Sequence, residues 1–187
     1  RERLEKEGVD PSRTRVVFNS VDLQRFRLRS PLPPRPERAL IFSNYASEHT
    51  HLRVVEQACA RAGLALDVIG AGVGKPCAEP QEVLGRYDIV FAKARCALEA
   101  LAVGNAVVLC DVFGTGPMVT HAEAEHLRSW NFGKRTLTRA LDPALVQREI
   151  ERYDPEDAER VSSWIRSTAG HAQSSAQLSA IFREALD

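Results

Sequence analysis

Three charged side chains stand at the start of one short helical segment, with a spacing that suits anion binding. Lys93 and Arg95 follow the apolar run 88–92, and Glu99 comes four residues after Arg95. Backbone N–H groups and the positive end of the helix dipole favour a phosphate at a helix N-terminus. The two cations would add charge there, and Glu99 could accept hydrogen bonds from hydroxyl groups of the same ligand. The alternative interpretation is an ordinary buried unit with a solvated lysine and arginine.

The pattern around these residues predicts a strand, a helix and a second strand. Residues 88–92 form an apolar run with β-branched members, 96–103 are rich in Ala and Leu, and 106–110 are apolar again. Gly104 stands where a helix C-cap belongs. Such a unit directs the helix N-terminus towards the carboxyl ends of parallel strands, where α/β sheets bind their ligands.

The same alternation extends along the rest of the chain. Further strands are predicted at 39–43 and 65–70, and further helices at 47–62, 79–86, 122–130, 143–153, 155–169 and 172–186. Strands that alternate with helices imply a mostly parallel sheet with helices on both faces. With right-handed crossovers, the expected fold class is α/β and Rossmann-like, followed by C-terminal helices.

The N-terminal part departs from this pattern. Residues 1–8 predict the end of a helix and 14–18 predict a short strand, whereas 27–38 contain four prolines and predict an extended linker. We therefore expect residues 1–36 to be the end of a preceding domain with its linker, and residues 37–187 to be the Rossmann-like domain.

The composition is that of an ordinary globular protein, with 44% hydrophobic and 27% charged residues and a net charge of zero. Zero net charge gives no support for nucleic acid as a partner. The apolar runs are too short to span a bilayer, no secretory signal is present, and the four cysteines lack metal-ligand spacing. We expect a cytoplasmic protein with reduced thiols and no metal or resident cofactor. The single methionine, Met118, lies inside the chain, so we also expect a missing N-terminal domain.

Polar and glycine-rich loops follow two of the predicted strands. Ser43 and Asn44 leave the first strand at its carboxyl end, where they could meet a ligand or cap the next helix. Gly70, Gly72 and Gly74 follow the second strand without the full GxGxxG spacing, which disfavours a nicotinamide dinucleotide. The loop could let the backbone approach a nucleobase closely, or it could be a plain turn.

Two further features have a structural and a functional interpretation. Gly114 and Gly116 predict a tight loop after a strand that ends at Asp111, and its N–H groups could face an anion or simply form a turn. His49 and His51 lack metal-ligand spacing and are expected at the surface. The sequence contains no Ser–His–Asp set, catalytic Cys–His pair or HExxH motif, so no catalytic residue is assigned.

Three segments resemble the C-terminal, nucleotide-sugar-binding half of glycosyltransferases with the two-Rossmann-domain (GT-B) architecture, closest to the retaining family 4 group. Segment 16–22 with Phe26 is similar to the group's Asn-Gly-Val-Asp…Phe junction between domains. Segment 66–72 is similar to its strand ending in Ile-Gly-x-Gly, and 98–108 to its Leu-Glu-Ala-Met-Ala-x-Gly-x-Pro-Val-Val motif. The resemblance covers about residues 15–111, and the last motif is the most specific.

The resemblance implies a donor domain that binds a nucleotide-diphosphate sugar for transfer to an unknown acceptor. Glu99 would hold the ribose hydroxyls, the helix start 94–97 would face the diphosphate, and the loop 70–74 would lie beside the base. Phe91 stands eight positions before Glu99, where the group carries its first glutamate, so donor binding is better supported than catalysis by the usual residues. The isolated chain is expected to lack transferase activity. The alternative functions are a non-catalytic nucleotide- or sugar-phosphate-binding module and a sugar-nucleotide 2-epimerase.

The expected donor-binding residues fall into the groups described above. They are Ser43, Asn44, Gly70, Gly72, Gly74, Lys93, Ala94, Arg95, Cys96, Glu99, Gly114 and Gly116.

Overall fold

A five-stranded sheet forms the centre of the computed structural model, which describes residues 2–186, with side chains from residue 4 onward. The strands are β1 (Arg38–Phe42), β2 (Ala65–Ile69), β3 (Ile89–Ala92), β4 (Ala106–Asp111) and β5 (Gly114–Met118). The helices are α1 (Glu2–Lys6), α2 (Leu52–Ala62), α3 (Ala94–Val103), α4 (His121–Ser129), α5 (Pro143–Ile150), α6 (Pro155–Thr168) and α7 (His171–Leu186). The predicted α/β class and the C-terminal helices are confirmed.

The strand order is β2-β1-β3-β4-β5, and the first four strands are parallel. The chain winds from β1 outwards to β2 and then returns to place β3 on the other side of β1. The direction of winding therefore reverses between β1 and β3, and such a switch point opens a crevice at the carboxyl ends of the strands. Helices α2 and α5 pack together on one face of the sheet, and α3 and α6 pack together on the other.

Alternation along the strands divides the core between these two faces. Leu40 of β1 and Val90 of β3 belong to the α3 side, whereas Ile41 and Phe91 belong to the α2 side, and all four are fully buried. Helix α3 is buried along most of its length, as its high Ala and Leu content predicts. It ends at Gly104, whose φ of 101° fits the predicted C-cap.

Two predicted elements have different conformations in the structure. Residues 14–18 form no strand, because they pair with none of the strands of the sheet. The carbonyl of Val16 instead accepts a hydrogen bond from Gln177 of α7 (3.3 Å). The predicted helix 79–86 is instead two short 3-10 turns, Pro80–Glu82 and Leu84–Arg86. Each turn is too short to form a packed helix face.

Helix α2 begins at Leu52 rather than at the predicted residue 47. The N–H of Ser47 donates to Oγ1 of Thr50 (2.8 Å), and that hydroxyl in turn donates to the carbonyl of Tyr45 (2.9 Å). These local side-chain hydrogen bonds give the backbone an alternative to the helix, so Ser47 does not cap α2. The N-cap position is held by His51.

The predicted tight loop at Gly114 and Gly116 is wrong, because both residues belong to β5. This strand pairs antiparallel with β4 in a hairpin, with Asp111 opposite Gly114. A Cβ atom on Gly116 would lie 2.5 Å from the carbonyl oxygen of Thr136. The glycines are therefore needed for the close approach of the segment 136–139, which covers β5.

The proline-rich segment 27–37 has no helix or strand but is fixed along the domain. Arg29 donates to the carbonyl of Tyr87 and forms an ion pair with Asp88 (3.2 Å). Asp88 also accepts hydrogen bonds from the N–H groups of Glu37 (2.9 Å) and Arg38 (3.1 Å). The predicted boundary near residue 36 stays a prediction, although this segment packs against the sheet.

Glu149 links α5 to the outer strand and supports a prediction about stability. Its carboxylate accepts hydrogen bonds from the N–H of Met118 (2.7 Å) and from Arg139 and Arg152 (2.7 Å each). Burial alone would raise the pKa of Glu149, but these hydrogen bonds outweigh it and lower the pKa below 4.5. The carboxylate therefore stabilises the fold fully above its ordinary pKa, and that stability is lost as the pH falls through the lowered value.

We expect Glu149→Gln to lower the free energy of unfolding at pH 7 by about 1–2 kcal/mol, because the amide cannot match the charge of two arginines. Urea denaturation at several pH values measures this. The loss should shrink as the pH falls below about 4. Glu151→Gln, a change at an exposed residue just after α5, is the control. A stability difference that grows on acidification would contradict the assignment.

Candidate functional site

A cavity of about 240 Å³ lies at the carboxyl ends of β1 and β2, beside the N-terminus of α3, the helix that follows β3. We call it the switch-point cavity. Its lining residues come from the segment before β1, the ends of β1 and β2, the turns after β2, and α3. They are Arg25, Phe26, Phe42, Asn44, Gly70, Cys77, Ala78, Pro80, Arg95, Cys96 and Glu99. Five of the twelve residues expected from the sequence therefore meet in one place.

Glu99 and Arg95 form an ion pair on the wall of this cavity. Nε of Arg95 donates to Oε1 of Glu99 (2.8 Å), one helical turn away. The Glu99 side chain is only 8% exposed, whereas that of Arg95 is 74% exposed. Burial raises the pKa of Glu99, although the hydrogen bond and charge of Arg95 oppose the rise. The result is a buried, oriented acceptor with an exposed cation beside it.

The first turn of α3 has fewer free backbone N–H groups than the sequence predicted. The N–H of Ala94 donates to the carbonyl of Phe132 (2.7 Å), and the N–H of Ala97 donates to that of Lys93 (3.3 Å). The geometry of a helix start leaves the N–H groups of Arg95 and Cys96 without an intrahelical acceptor. The side chain of Lys93, the N-cap residue, does not cap the helix. Two backbone donors therefore remain beside the cavity.

Lys93 belongs to a different group of side chains. Its ammonium lies 3.4 Å from Oδ2 of Asp111, and the same oxygen accepts a hydrogen bond from the hydroxyl of Ser43 (2.9 Å). Asp111 and Ser43 are buried at the ends of β4 and β1. Each of the two cations thus has its own carboxylate in this structure. That Lys93 and Arg95 act on one anion stays a prediction.

His51 lies behind this group and corrects another expectation. It is fully buried rather than at the surface, and neither ring nitrogen has a hydrogen-bond partner in the described part of the chain. Burial lowers the pKa of His51; the charge of Asp111 opposes this effect and that of Lys93 adds to it. The ring is therefore neutral at neutral pH. The exposed His49 follows the prediction.

The glycine loop 70–74 forms part of the cavity wall, but its backbone N–H groups are not all free to bind a ligand. The N–H of Gly70 bonds to the carbonyl of Lys75 (2.8 Å), and that of Gly72 to the carbonyl of Asn44 (3.0 Å). Oδ1 of Asn44 accepts from the N–H of Ala71 (3.1 Å). Asn44 thus holds the loop against the end of β1. Gly74 ends the turn at a φ of 68° and does not line the cavity.

Two predicted residues lie outside the cavity, and some cavity residues were not predicted. Gly114 and Gly116 are buried beneath 136–139 and do not line the cavity. Sequence reasoning missed Arg25 and Cys77, whose positions depend on long loops and carry no local signal. Cys96 lines the cavity, but burial raises the pKa of its thiol to about 12, so the thiol stays protonated.

A scan against models of known protein families gives no match, and a search of curated proteins finds no significantly similar sequence. Between residues 2 and 186, no helix is long and apolar enough to cross a membrane. The described His, Cys, Asp and Glu side chains form no group of three that could hold a metal ion. The geometry of the switch-point cavity is therefore the main indication of what the chain binds.

Proposed function

We propose that the chain is the donor-binding domain of a glycosyltransferase with GT-B architecture, and that it binds a nucleotide-diphosphate sugar in the switch-point cavity. The observation that carries this proposal is the convergence of Asn44, Gly70, Arg95 and Glu99 on one cavity from three separate segments. In α/β sheets, ligands bind in such crevices outside the carboxyl ends of the strands.

The polar groups of the cavity match the parts of such a donor. The carboxylate of Glu99 is an acceptor suited to ribose hydroxyls, because it is buried and oriented by Arg95. The N–H groups of Arg95 and Cys96, together with the Arg95 guanidinium, suit a phosphate. Gly70 and Ala78 line the cavity without bulky side chains, which suits the packing of a flat base.

In the proposed transfer, the bond between the sugar C1 and a diphosphate oxygen breaks and the diphosphate keeps the electron pair. An acceptor hydroxyl forms the new bond to C1, and its proton passes to the departing diphosphate. Donors already fixed beside the departing diphosphate would stabilise its charge. Phe91, where the resembling group has its first glutamate, is fully buried in β3. This favours a non-catalytic nucleotide-binding module as the second candidate function.

Isothermal titration calorimetry with UDP, GDP and ADP tests the proposal. We expect one of them to bind more tightly than its nucleoside, because charge-assisted hydrogen bonds form only with the phosphates. Absence of binding by all three would contradict the proposed function. Release of diphosphate from the matching nucleotide sugar in the presence of an acceptor would favour transfer over a binding module.

Arg95→Ala should weaken the binding of the nucleoside diphosphate by about 1 kcal/mol, with a smaller loss for the nucleoside. The reason is the loss of an exposed cation, which also leaves the Glu99 carboxylate unpaired near the phosphates. The effect should shrink as salt is raised, since exposed charges are screened. Calorimetry at two salt concentrations measures it.

The matched control is Arg160→Ala, which removes another exposed arginine paired within its helix, with Asp157 (3.0 Å). Arg160 does not line the switch-point cavity, so its loss should leave both affinities unchanged. If Arg95→Ala affected the nucleoside and the diphosphate equally, the phosphate would lie elsewhere.

A further inference from the structure

Two exposed aromatic rings lie near Lys93, at the edge of the sheet where β1 and β4 end. Tyr45 follows β1 and Phe113 follows β4, and their exposed fractions are 60% and 52%. The Lys93 ammonium lies 4.8 Å from the centre of the Tyr45 ring and 5.9 Å from that of Phe113. Lys134 lies over Phe113 at 4.2 Å. We call these four residues the lysine–aromatic cluster.

The cluster is held in place from beneath. Asp111 pairs with Lys93 and is itself fixed by the Ser43 hydroxyl and by the N–H of Val112 (2.7 Å). Lys93 is only 19% exposed, so its ammonium has little freedom to leave this position. Lys93 and one face of each ring are therefore already ordered before a ligand binds. This lowers the entropic cost of binding a ligand there.

The charges of the cluster do not cancel. Lys93 is matched by Asp111, whereas Lys134 is exposed and forms no ion pair with any described carboxylate. The buried His51 behind the group is neutral at neutral pH because burial lowers its pKa. One positive charge is thus left for a ligand, beside two rings whose faces attract weakly positive C–H groups.

The cluster adjoins the switch-point cavity through neighbouring residues of the chain. Asn44 lines the cavity, and the next residue, Tyr45, belongs to the cluster. Likewise Arg95 lines the cavity, whereas Lys93, two residues earlier, belongs to the cluster. A ligand whose nucleoside fills the cavity and whose phosphates reach the start of α3 would therefore carry its sugar towards these rings. A sugar ring presents C–H groups on its faces, which suits Tyr45 and Phe113.

We propose that the lysine–aromatic cluster binds the sugar of the donor, and that this sugar carries a carboxylate, as a hexuronic acid does. The carboxylate pairs with Lys134 while the sugar ring packs against the aromatic rings. This inference rests on the proposed function, because it assumes that a nucleotide-diphosphate sugar fills the cavity. It adds the substrate class, which the cavity alone does not specify.

The test compares three ligands by calorimetry: the nucleoside diphosphate that binds, its glucose conjugate and its glucuronic acid conjugate. We expect the glucuronic acid conjugate to bind about five-fold more tightly than the glucose conjugate, as one exposed ion pair allows. Lys134→Gln should remove this preference and leave the affinity for the diphosphate, which carries no sugar, unchanged. Lys6→Gln, at an exposed position in α1, is the control and should keep the preference.

Each other outcome overturns the inference in a recognisable way. Equal affinity for the two conjugates would show that the cluster does not select an acidic sugar. A preference that survives in Lys134→Gln would assign the carboxylate to another group. An equal loss for all three ligands would place Lys134 on the phosphates. In these cases diphosphate binding persists and the proposed function stands, whereas no binding of any nucleoside diphosphate overturns both.

Discussion

Glu99→Gln should remove most of the chain's ability to distinguish a ribonucleotide from its 2′-deoxy analogue. We expect the affinity for the ribonucleoside diphosphate to fall by about 2 kcal/mol, the usual worth of a hydrogen bond to a charged acceptor. The affinity for the 2′-deoxy analogue should change much less, since one of the two hydroxyl donors is missing from it. Calorimetry with both ligands on both proteins gives the four values needed.

The same substitution should leave the fold intact. Burial raises the pKa of Glu99, so the folded protein holds this carboxylate at a cost that a neutral amide avoids. The free energy of unfolding at pH 7 should therefore stay the same or rise slightly. Loss of affinity together with loss of stability would indicate a structural role, and equal losses for the two nucleotides would contradict the ribose assignment.

Gly70→Ala should destabilise the domain by about 3 kcal/mol or more, because this position excludes any side chain for two reasons. Its backbone has φ 146° and ψ 163°, a conformation that residues other than glycine rarely adopt. A Cβ atom there would also lie 2.0 Å from the carbonyl oxygen of Ser43 and 3.0 Å from the N atom of Asn44. The loop or the end of β1 would have to move, which would deform the switch-point cavity.

Gly74→Ala in the same loop is the matched control. Gly74 has a φ of 68°, but a Cβ atom there would meet no atom within 4 Å. It should therefore cost only the backbone strain of a left-handed residue, about 1–2 kcal/mol. Urea denaturation measures both variants, and calorimetry should show lost nucleotide binding for Gly70→Ala alone. Equal destabilisation by the two substitutions would contradict the close contact between the loop and β1.

Local pattern was sufficient for most of the regular structure. The strands near residues 40, 67, 90 and 108, the helix 94–103 and the three C-terminal helices all appear close to where periodicity and caps predict them. These elements follow from short-range properties: apolar runs bury themselves in a parallel sheet, and Gly104 ends a helix because it adopts a positive φ. The mostly parallel sheet then follows from their alternation.

The sequence also identified several cavity residues, because the carboxyl ends of parallel strands meet at one edge of a sheet. Asn44, Gly70, Arg95, Cys96 and Glu99 were all predicted at that edge and all line the cavity. That they bind a nucleotide sugar stays a prediction. The glycosyltransferase resemblance has the same standing.

Side-chain partners were decided only by the tertiary structure, because they join residues far apart in the sequence. Lys93 pairs with Asp111, which is brought beside it by β4. His51, the N-cap residue of α2, is fully buried. Gly114 and Gly116 belong to a strand because β5 pairs with β4, and the segment 136–139 covers both residues. The periodicity of apolar residues indicates which face of a segment is buried. Which charged side chains meet at the edge of the sheet is determined only by how the strands and helices pack.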